Sequence, residues 1–402
     1  MDIVVQKFGG TSVSTEERRK LVVHKIKSAI ENGLNPVVVV SAMGRANDPY
    51  STDTLLSLLD KDFKDKNKRA EDLLMNCGEI ISTVVLCNDL NRYGIDAMPL
   101  TGGQAGIITN NNYTEAKYIE VNTEKIFDII NQGFVPVIAG FQGITKEGIL
   151  TTLGRGGSDT SACILGVALK AKEIDIYTDV DGIMTADPRV VKDACLISEM
   201  TYNEVFQLAD QGAKVIHPRA VDIAKKGNIP LFIKNTMNDN NGTLITKKIH
   251  ESGRRLISGI THLSNRIQIR VRLSENEGNS RYRNLLEILS KNKISLDLIN
   301  IFPAHQIFTI DVSELPKLKM ILNEANIQFS YIENCSTVAI VGIGMQGVPG
   351  VMAKIVNTLS ENNIEVLQTA DSNMTIWCLI NTENLKDAVN LLHKEFNLGE
   401  TN

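Results

Sequence analysis

Lys7 closes the apolar run Ile3–Phe8 and is followed almost at once by Gly9-Gly10-Thr11-Ser12. Glycines at a strand end let backbone N–H groups approach phosphate oxygens with no Cβ in the way. A lysine ammonium beside them can offset charge on a transferring phosphoryl group. A tight turn carrying an exposed lysine fits the same residues equally well. A second junction, Gly154-Arg155-Gly156-Gly157-Ser158-Asp159, follows Ile149–Leu153 and opens a helical pattern. The planar guanidinium of Arg155 suits a carboxylate. Asp159 suits either a substrate ammonium or an ordinary helix cap. The third junction runs from Thr178 and Asp179 through Asp181-Gly182 and Met184 to Asp187-Pro188-Arg189. An acidic turn leaving a strand fits ribose hydroxyls or metal-bound phosphate, although Asp-Gly and Asp-Pro are also common turn dipeptides. The pattern G-x-x-x-x-G-K-[ST] does not occur, so P-loop chemistry is excluded.

The elements that must hold these junctions alternate between strand and helix over the first 250 residues. Ser14 with Glu17 reads as a capping box ahead of a helix whose apolar face carries Val22, Ile26, Ala29 and Ile30, and which Gly33 ends. The unbroken apolar run Val37–Val40 suits a central parallel strand covered on both faces. Further strands are expected at Ile95–Leu100, Val135–Phe141, Glu173–Thr178 and Ile229–Ile233, and Lys61–Arg69 reads as a solvated charged surface segment. This alternation predicts an α/β sandwich with a mainly parallel sheet, whose ligands sit at the carboxyl ends of strands.

Beyond about residue 262 the texture changes to two successive strand–helix–strand–strand–helix units, each of about 65 residues. The first runs through Arg266–Leu273, Ser280–Lys291, Ser295–Ile301, Ile307–Val312 and Glu314–Glu324, with a closing strand near Gln328–Glu333. The second runs through Thr337–Ile343, Gly350–Ser360, Ile364–Thr369, Met374–Ile380 and Asn384–Lys394. Little chain remains for a sixth strand in the second unit, so Leu256–Thr261 is expected to supply it. The expected domains are therefore 1–250, 263–335, and 336–402 together with strand 255–262.

Composition narrows the function classes. The chain has 402 residues, a formal net charge of -5 and no basic block interleaved with aromatics, which excludes a nucleic-acid footprint. Its six cysteines are scattered without metal-ligand spacing, as expected for free thiols in a reducing compartment. No metal site is expected from the protein itself. The N-terminus lacks the order of a signal peptide and no run approaches the ~20 apolar residues of a membrane span, so a cytoplasmic location is expected.

The three junctions, in this order, resemble the aspartate kinases of the amino-acid-kinase family. The resemblance also takes in Val39-Val40-Ser41-Ala42-Met43-Gly44, Gly78-Glu79, Gly212-Ala213-Lys214-Val215-Ile216-His217-Pro218 and Ile233-Lys234-Asn235-Thr236. It runs the length of the chain, and the two tail units resemble ACT domains. It implies an amino-acid-kinase (carbamate-kinase-like) αβα sandwich followed by tandem ferredoxin-like modules. It also implies phosphoryl transfer from ATP, with Mg2+, to the β-carboxylate of L-aspartate. Lys7 and Asp179 would be catalytic, and Lys7, Gly9, Gly10, Ser12, Thr178, Asp179, Asp187, Arg189 and Lys214 would hold the nucleotide. Ser41, Thr52, Glu79, Arg155, Ser158 and Asp159 would form the aspartate pocket, with Glu79 on the α-ammonium and Arg155 on the α-carboxylate. Met184 stands where many of these enzymes carry Tyr.

The tail is expected to sense a feedback amino acid, lysine first and threonine second, in a homodimer or larger assembly formed through the ACT-like modules. Asp297, Asn363 and Ile364 match effector-contacting positions in similar enzymes, while an acidic strand end and an Asn turn explain the same residues structurally. A glutamate-type amino-acid kinase and a catalytically silent amino-acid sensor are the alternatives. Gly342-Ile343-Gly344-Met345-Gln346-Gly347 mimics a dinucleotide fingerprint, but Pro349 and the short remaining chain leave no room for a Rossmann unit.

Overall fold

The computed structural model describes residues 1–249, 255–272, 280–345 and 348–400. Gln346 and Gly347 of the dinucleotide-like run, and Leu273 of the expected strand Arg266–Leu273, lie outside the described residues. The chain forms two compact units. The first comprises Met1–Ile183, Leu196–Asp210 and the chain from Lys214 into the first undescribed stretch. The second comprises Met184–Cys195, Gln211–Ala213 and the chain from Arg255 onward.

The first unit contains β1 (Ile3–Phe8), β2 (Asn35–Val40), β3 (Ala97–Leu100), β4 (Ile107–Thr109), β5 (Tyr118–Val121) and β6 (Val135–Ala139). It continues with β7 (Gln142–Ile144), β8 (Leu150–Thr152), β9 (Glu173–Thr178), β10 (Glu199–Thr201), β11 (Leu231–Asn235) and β12 (Thr243–Thr246). The main sheet has the order β10-β12-β11-β9-β1-β2-β6-β3, with only the β11–β12 pairing antiparallel. A smaller sheet has the order β5-β4-β7-β8.

β1 lies between β2 and β9, with Phe8 level with Val40 on one side and with Tyr177 on the other. These central strands are buried along most of their length because helices cover both faces. One face packs Phe8, Val38, Val40 and Val137 against Val22, Val23, Ile26, Leu86 and Leu90 of the helices Glu16–Glu31 and Lys68–Arg92. Across the sheet, Gly166 of the helix Gly157–Ala168 sits so close to Ile174 that an added Cβ would fall 2.5 Å from its side chain. The carboxyl ends of β1, β2 and β9 consequently open on one edge, where the first and third glycine or acidic junctions leave the sheet.

Some local expectations shift. The helix begins at Glu16 with Thr15 as its N-cap, accepting from Arg18 N at 3.3 Å, while Ser14 Oγ donates to Thr11 O at 3.0 Å. The Ser14–Glu17 capping box is therefore not formed. The charged segment from Lys61 is largely exposed, as expected, and is helical: Lys61–Lys66 forms a short helix and Lys68 already starts the next one. That next helix, Lys68–Arg92, is long and apolar enough by length and composition to cross a membrane. Half of its most apolar window is buried within the protein, and it carries the buried polar residues Asp72, Asn76, Glu79 and Asp89. Those four mark the core helix of a folded domain, because unpaired polar groups in hydrocarbon are costly.

The second unit contains β13 (Ile257–Arg272), β14 (Asp297–Ile301), β15 (His305–Asp311), β16 (Phe329–Gly342), β17 (Gln368–Asp371) and β18 (Thr375–Asn381), in the sheet order β14-β15-β13-β16-β18-β17. The two tail modules share this sheet through two long strands. β13, Ile257–Arg272, joins into one strand the two expected to start at Leu256 and Arg266, and β16, Phe329–Gly342, does the same for those expected to start near Gln328 and at Thr337. Register shifts after Leu263 and after Arg266 separate the module halves, and Asn265 and Asn334 adopt positive φ there. Ile257–Leu263 pairs antiparallel with Thr337–Gly342, which gives the second module the strand its own length lacks. Each module buries its own core, one around Phe308, Leu318 and Leu322 and the other around Ile340, Ile355 and Leu392.

Two short segments depart from the expected 1–250 boundary. Ala186 and Val191 lie in the core of the second module with Ile260 and Leu392, and Thr185 Oγ1 lies 2.9 Å from His393 Nε2. Gln211 accepts from Trp377 Nε1 at 2.7 Å.

Candidate active site

At the open edge of the main sheet, the turn after β1 is stitched to both neighbours. Gly9 N donates to Tyr177 O at 3.2 Å and Gly44 N donates to Gly10 O at 3.0 Å. Gly10 is obligatory: a Cβ there would stand 2.6 Å from Ala42 O and 2.7 Å from Gly44 O. Ser12 is fully buried, with its hydroxyl 2.7 Å from Thr236 Oγ1, which ties this turn to the segment following β11. The Phe8 and Tyr177 rings stack at 4.8 Å beneath.

Lys7 is buried to 8% exposure, and its ammonium lies 2.7 Å from Asp159 Oδ1. Asp159 stands in the first turn of the helix Gly157–Ala168, whose N-cap Gly156 has φ 66 and packs against His217. Asp159 therefore makes an ion pair and is not the N-cap residue. Ser158 packs against Gly140, where an added Cβ would lie 2.9 Å from the Ser158 Cβ. Arg155 projects from the same loop, exposed.

Glu79 is a strongly perturbed carboxylate of this edge. It is 3% exposed, its Oε1 accepts from Ala42 N at 3.2 Å, and its Oε2 has no partner. Burial pushes its pKa up to about 8, against the smaller opposing effect of the Ala42 N–H. A buried acceptor with one oxygen unmet is poised for a cationic donor. Ser41, whose N–H donates to Phe8 O at 3.1 Å, directly precedes Ala42. Thr52 opens the helix Thr52–Leu56, capped by Ser51. Gly78, one residue before Glu79, lies against Ala42 and Tyr50, so the Glu79 helix and the loop after β2 pack together. A cation, glycine amides and a half-paired buried carboxylate thus share one sheet edge, an arrangement suited to aligning an anionic phosphate with a substrate bearing an ammonium.

The Amino acid kinase family profile matches residues 2–235, and an ACT domain profile matches residues 330–394. Aspartokinase 1 of Bacillus subtilis is 45% identical over 100% of both chains, and the aspartokinase of Geobacillus stearothermophilus is 36% identical over 100% of this chain and 98% of its own. Among solved structures, E. coli aspartokinase III in complex with aspartate and ADP superposes with a TM-score of 0.82 at 26% identity, covering 98% of this chain and 99% of its own. The chain belongs to the aspartokinases of the amino acid kinase family.

Of the residues expected at the nucleotide in this aspartokinase, Asp187 and Arg189 fall in the second unit and the others in the first. Thr178 and Asp179 leave β9, Thr178 Oγ1 donating to Asp179 Oδ1 at 3.3 Å, while the Asp179 Oδ2 receives the Arg45 guanidinium. Lys214 is exposed in the first unit. Asp187 and Arg189 belong to the second unit and pair with each other, at 2.7 Å between Oδ2 and the guanidinium, which holds the Asp187 carboxyl below its ordinary range. Of the tail residues, Asp297 lies 3.2 Å from Arg266. Asn363 takes φ 56 just beyond the helix Val351–Glu361, and the Ile364 side chain is 4% exposed in the module core.

One residue of this edge, Arg45, escaped the sequence reading. It lies in the loop after β2, just past the motif that ends at Gly44. Asp181 accepts from Asn235 at 2.6 Å and from Asn238 at 2.7 Å, which lowers its pKa. The Asp-Gly signal for Asp181 was visible, but not its two amide partners more than 50 residues away.

Proposed function

We propose that this aspartokinase transfers the γ-phosphoryl group of ATP to the β-carboxylate of L-aspartate, giving 4-phospho-L-aspartate and ADP, with the roles that follow. The observation that carries the assignment of roles is the convergence of buried Lys7 and half-paired Glu79 on one edge of a parallel sheet. The nucleophile is a carboxylate already ionised at neutral pH, since a free carboxyl titrates near ~4. No general base is required, and the protein's task is positioning and charge compensation.

Lys7 would turn from Asp159 to the phosphoryl group in transfer, with the Gly9 and Gly10 backbone and Ser12 framing the phosphates. Thr178, Asp179 and Lys214 would hold the nucleotide. Glu79 would take the α-ammonium of aspartate and Arg155 its α-carboxylate, with Ser41, Thr52, Ser158 and Asp159 completing the pocket. Among the described residues, no group of three or more His, Cys, Asp or Glu side chains could hold a metal ion. Mg2+ would arrive on the phosphates of ATP and supply charge neutralisation there.

A coupled ADP-release assay over a panel of amino-acid acceptors tests the reading. Aspartate-dependent turnover that Lys7→Ala abolishes supports it; equal rates in the two proteins overturn it. The tail is read as the sensor of a feedback amino acid. One similar structure is E. coli aspartokinase III with lysine and aspartate, at 25% identity and a TM-score of 0.76. Lysine is the expected effector and threonine the second choice, in a cytoplasmic homodimer or larger assembly joined through the ACT-like modules. Inhibition that persists after removal of the chain beyond Lys248 would overturn that part.

A further inference from the structure

The loop after β2 reaches across the phosphate turn. β1 is flanked by β2 and β9, their ends level, so the loops leaving β2 and β9 stand on opposite sides of Gly9-Gly10. Neighbouring strands are ~4.8 Å apart, so a bridge between those two loops spans about twice that distance. Arg45, from the β2 loop, makes that bridge: its guanidinium pairs with the carboxylate of Asp179, just past β9. Both loops are anchored to the turn between them, through Gly44 N to Gly10 O and Gly9 N to Tyr177 O.

The backbone beneath Arg45 is fixed by several hydrogen bonds, whereas its side chain rests on one exposed ion pair. Gly44 has φ 88, and Asp48 Oδ2 accepts from Arg45 N at 2.7 Å while Asp48 N donates back to Arg45 O at 2.9 Å. The Arg45 side chain is 71% exposed and that of Asp179 is 37% exposed. An ion pair this exposed contributes little, so a phosphate, with its higher charge and matching geometry for a guanidinium, can displace the aspartate. The two cations flanking the turn, Lys7 and Arg45, each rest on a carboxylate, Asp159 and Asp179.

We propose that Arg45 is a second phosphate-contacting catalytic residue, held by Asp179 over the Gly9-Gly10 turn until the nucleotide arrives and then transferred to the γ-phosphate. This rests on the reading of that turn as the phosphate site. It makes Lys7 and Arg45 complementary: one cation below the transferring group, within the sheet edge, and one from above.

The experiment compares the full-length wild type, Arg45→Ala and Arg45→Lys. Calorimetry measures binding of ADP and of the β,γ-imido analogue of ATP, and steady-state assays give kcat and both KM values. For Arg45→Ala the expected result is a fall in kcat of about 100-fold, in the range of losing one transition-state donor. Affinity for the imido analogue falls about tenfold, while ADP affinity and the KM for aspartate stay within twofold. Arg45→Lys recovers part of kcat. An unchanged kcat in Arg45→Ala, or equal losses for ADP and the imido analogue, overturns the proposal. Lys7→Ala run alongside separates the two readings: inactivity there with full activity in Arg45→Ala rejects only the role of Arg45, whereas full activity in both rejects the phosphate site itself.

Discussion

The Lys7 ammonium sits 2.7 Å from Asp159 Oδ1, joining the end of a central strand to the first turn of the helix Gly157–Ala168. Both side chains are largely withdrawn from water, at 10% and 14% exposure. Breaking such a pair on one side strands a charge, at a cost of about 3 kcal/mol. Asp159→Ala is therefore expected to lower both stability and kcat. Lys7→Ala/Asp159→Ala together should cost less stability than the sum of the single changes. Urea denaturation of the four proteins checks this, and strict additivity of the two losses would show that the pair is not coupled.

Glu79 gives the pH dependence. Its carboxyl titrates at about 8 in the folded, ligand-free protein against an ordinary 4.5. At pH 7 it is mostly protonated, so an aspartate ammonium must first displace a proton. The KM for aspartate is expected to fall as pH rises from 6.5 to about 8 and then level off. The stability sign is the opposite. Below about 4.5 the carboxyl is neutral in both states; between 4.5 and 8 only the unfolded chain ionises, which progressively lowers stability up to the folded value. Glu79→Gln removes this, so its thermal midpoint should exceed that of the wild type more at pH 8.5 than at pH 4.5, while its KM for aspartate rises and loses its pH dependence. A wild-type KM that is flat with pH would contradict the assignment.

Much of the first unit was legible because parallel strands covered on both faces must be written as unbroken apolar runs such as Val37–Val40, and because the turn against Ala42 and Gly44 has space only for glycine at Gly10. What was not legible depended on contacts remote in sequence. Arg45 acquires meaning only when β9 delivers Asp179, 134 residues later, to the far side of β1. The long strands β13 and β16 read as four short ones because Asn265 and Asn334, turn-like in composition, sit at irregularities inside continuous strands. The segment Met184–Cys195 has the Asp-Pro of an ordinary surface turn, yet Ala186 and Val191 are buried in the second module. Two small apolar residues among charges give no periodicity to detect.

Gly10 and Gly33 make a paired test of the phosphate turn. A methyl group at Gly10 meets two carbonyl oxygens, at 2.6 and 2.7 Å, and both belong to the loop after β2. Gly10→Ala is expected to lose about 1–3 kcal/mol to overpacking and to abolish turnover. Gly33 has φ 75 with nothing within 4 Å of an added Cβ. Gly33→Ala should therefore cost about 1–2 kcal/mol of backbone strain and leave kcat unchanged. Circular-dichroism melts and the ADP-release assay read both effects, and a fully active Gly10→Ala would remove the turn from the site.

Asp297 and Ile364 should separate sensing from packing in the tail. Asp297 lies 3.2 Å from the Arg266 guanidinium, and Arg266 Nε is buried with no partner, so the pair is only partly satisfied. The Asp297 side chain is 49% exposed, so the pair itself contributes little to stability and the carboxylate is open to a cationic effector. Asp297→Ala is expected to raise the lysine concentration for half-inhibition at least tenfold, with kcat and stability nearly unchanged. Ile364 behaves differently because its side chain is packed with Ile355, Leu359 and Leu392 and its N–H is already bonded to Leu359 O at 2.9 Å. Ile364→Ala should cost about 3 kcal/mol through the cavity it leaves. Its sensitivity to lysine should stay within twofold of wild type at temperatures where it remains folded. If instead Ile364→Ala retained full stability and lost inhibition, its side chain would be an effector contact and the packing assignment would fail.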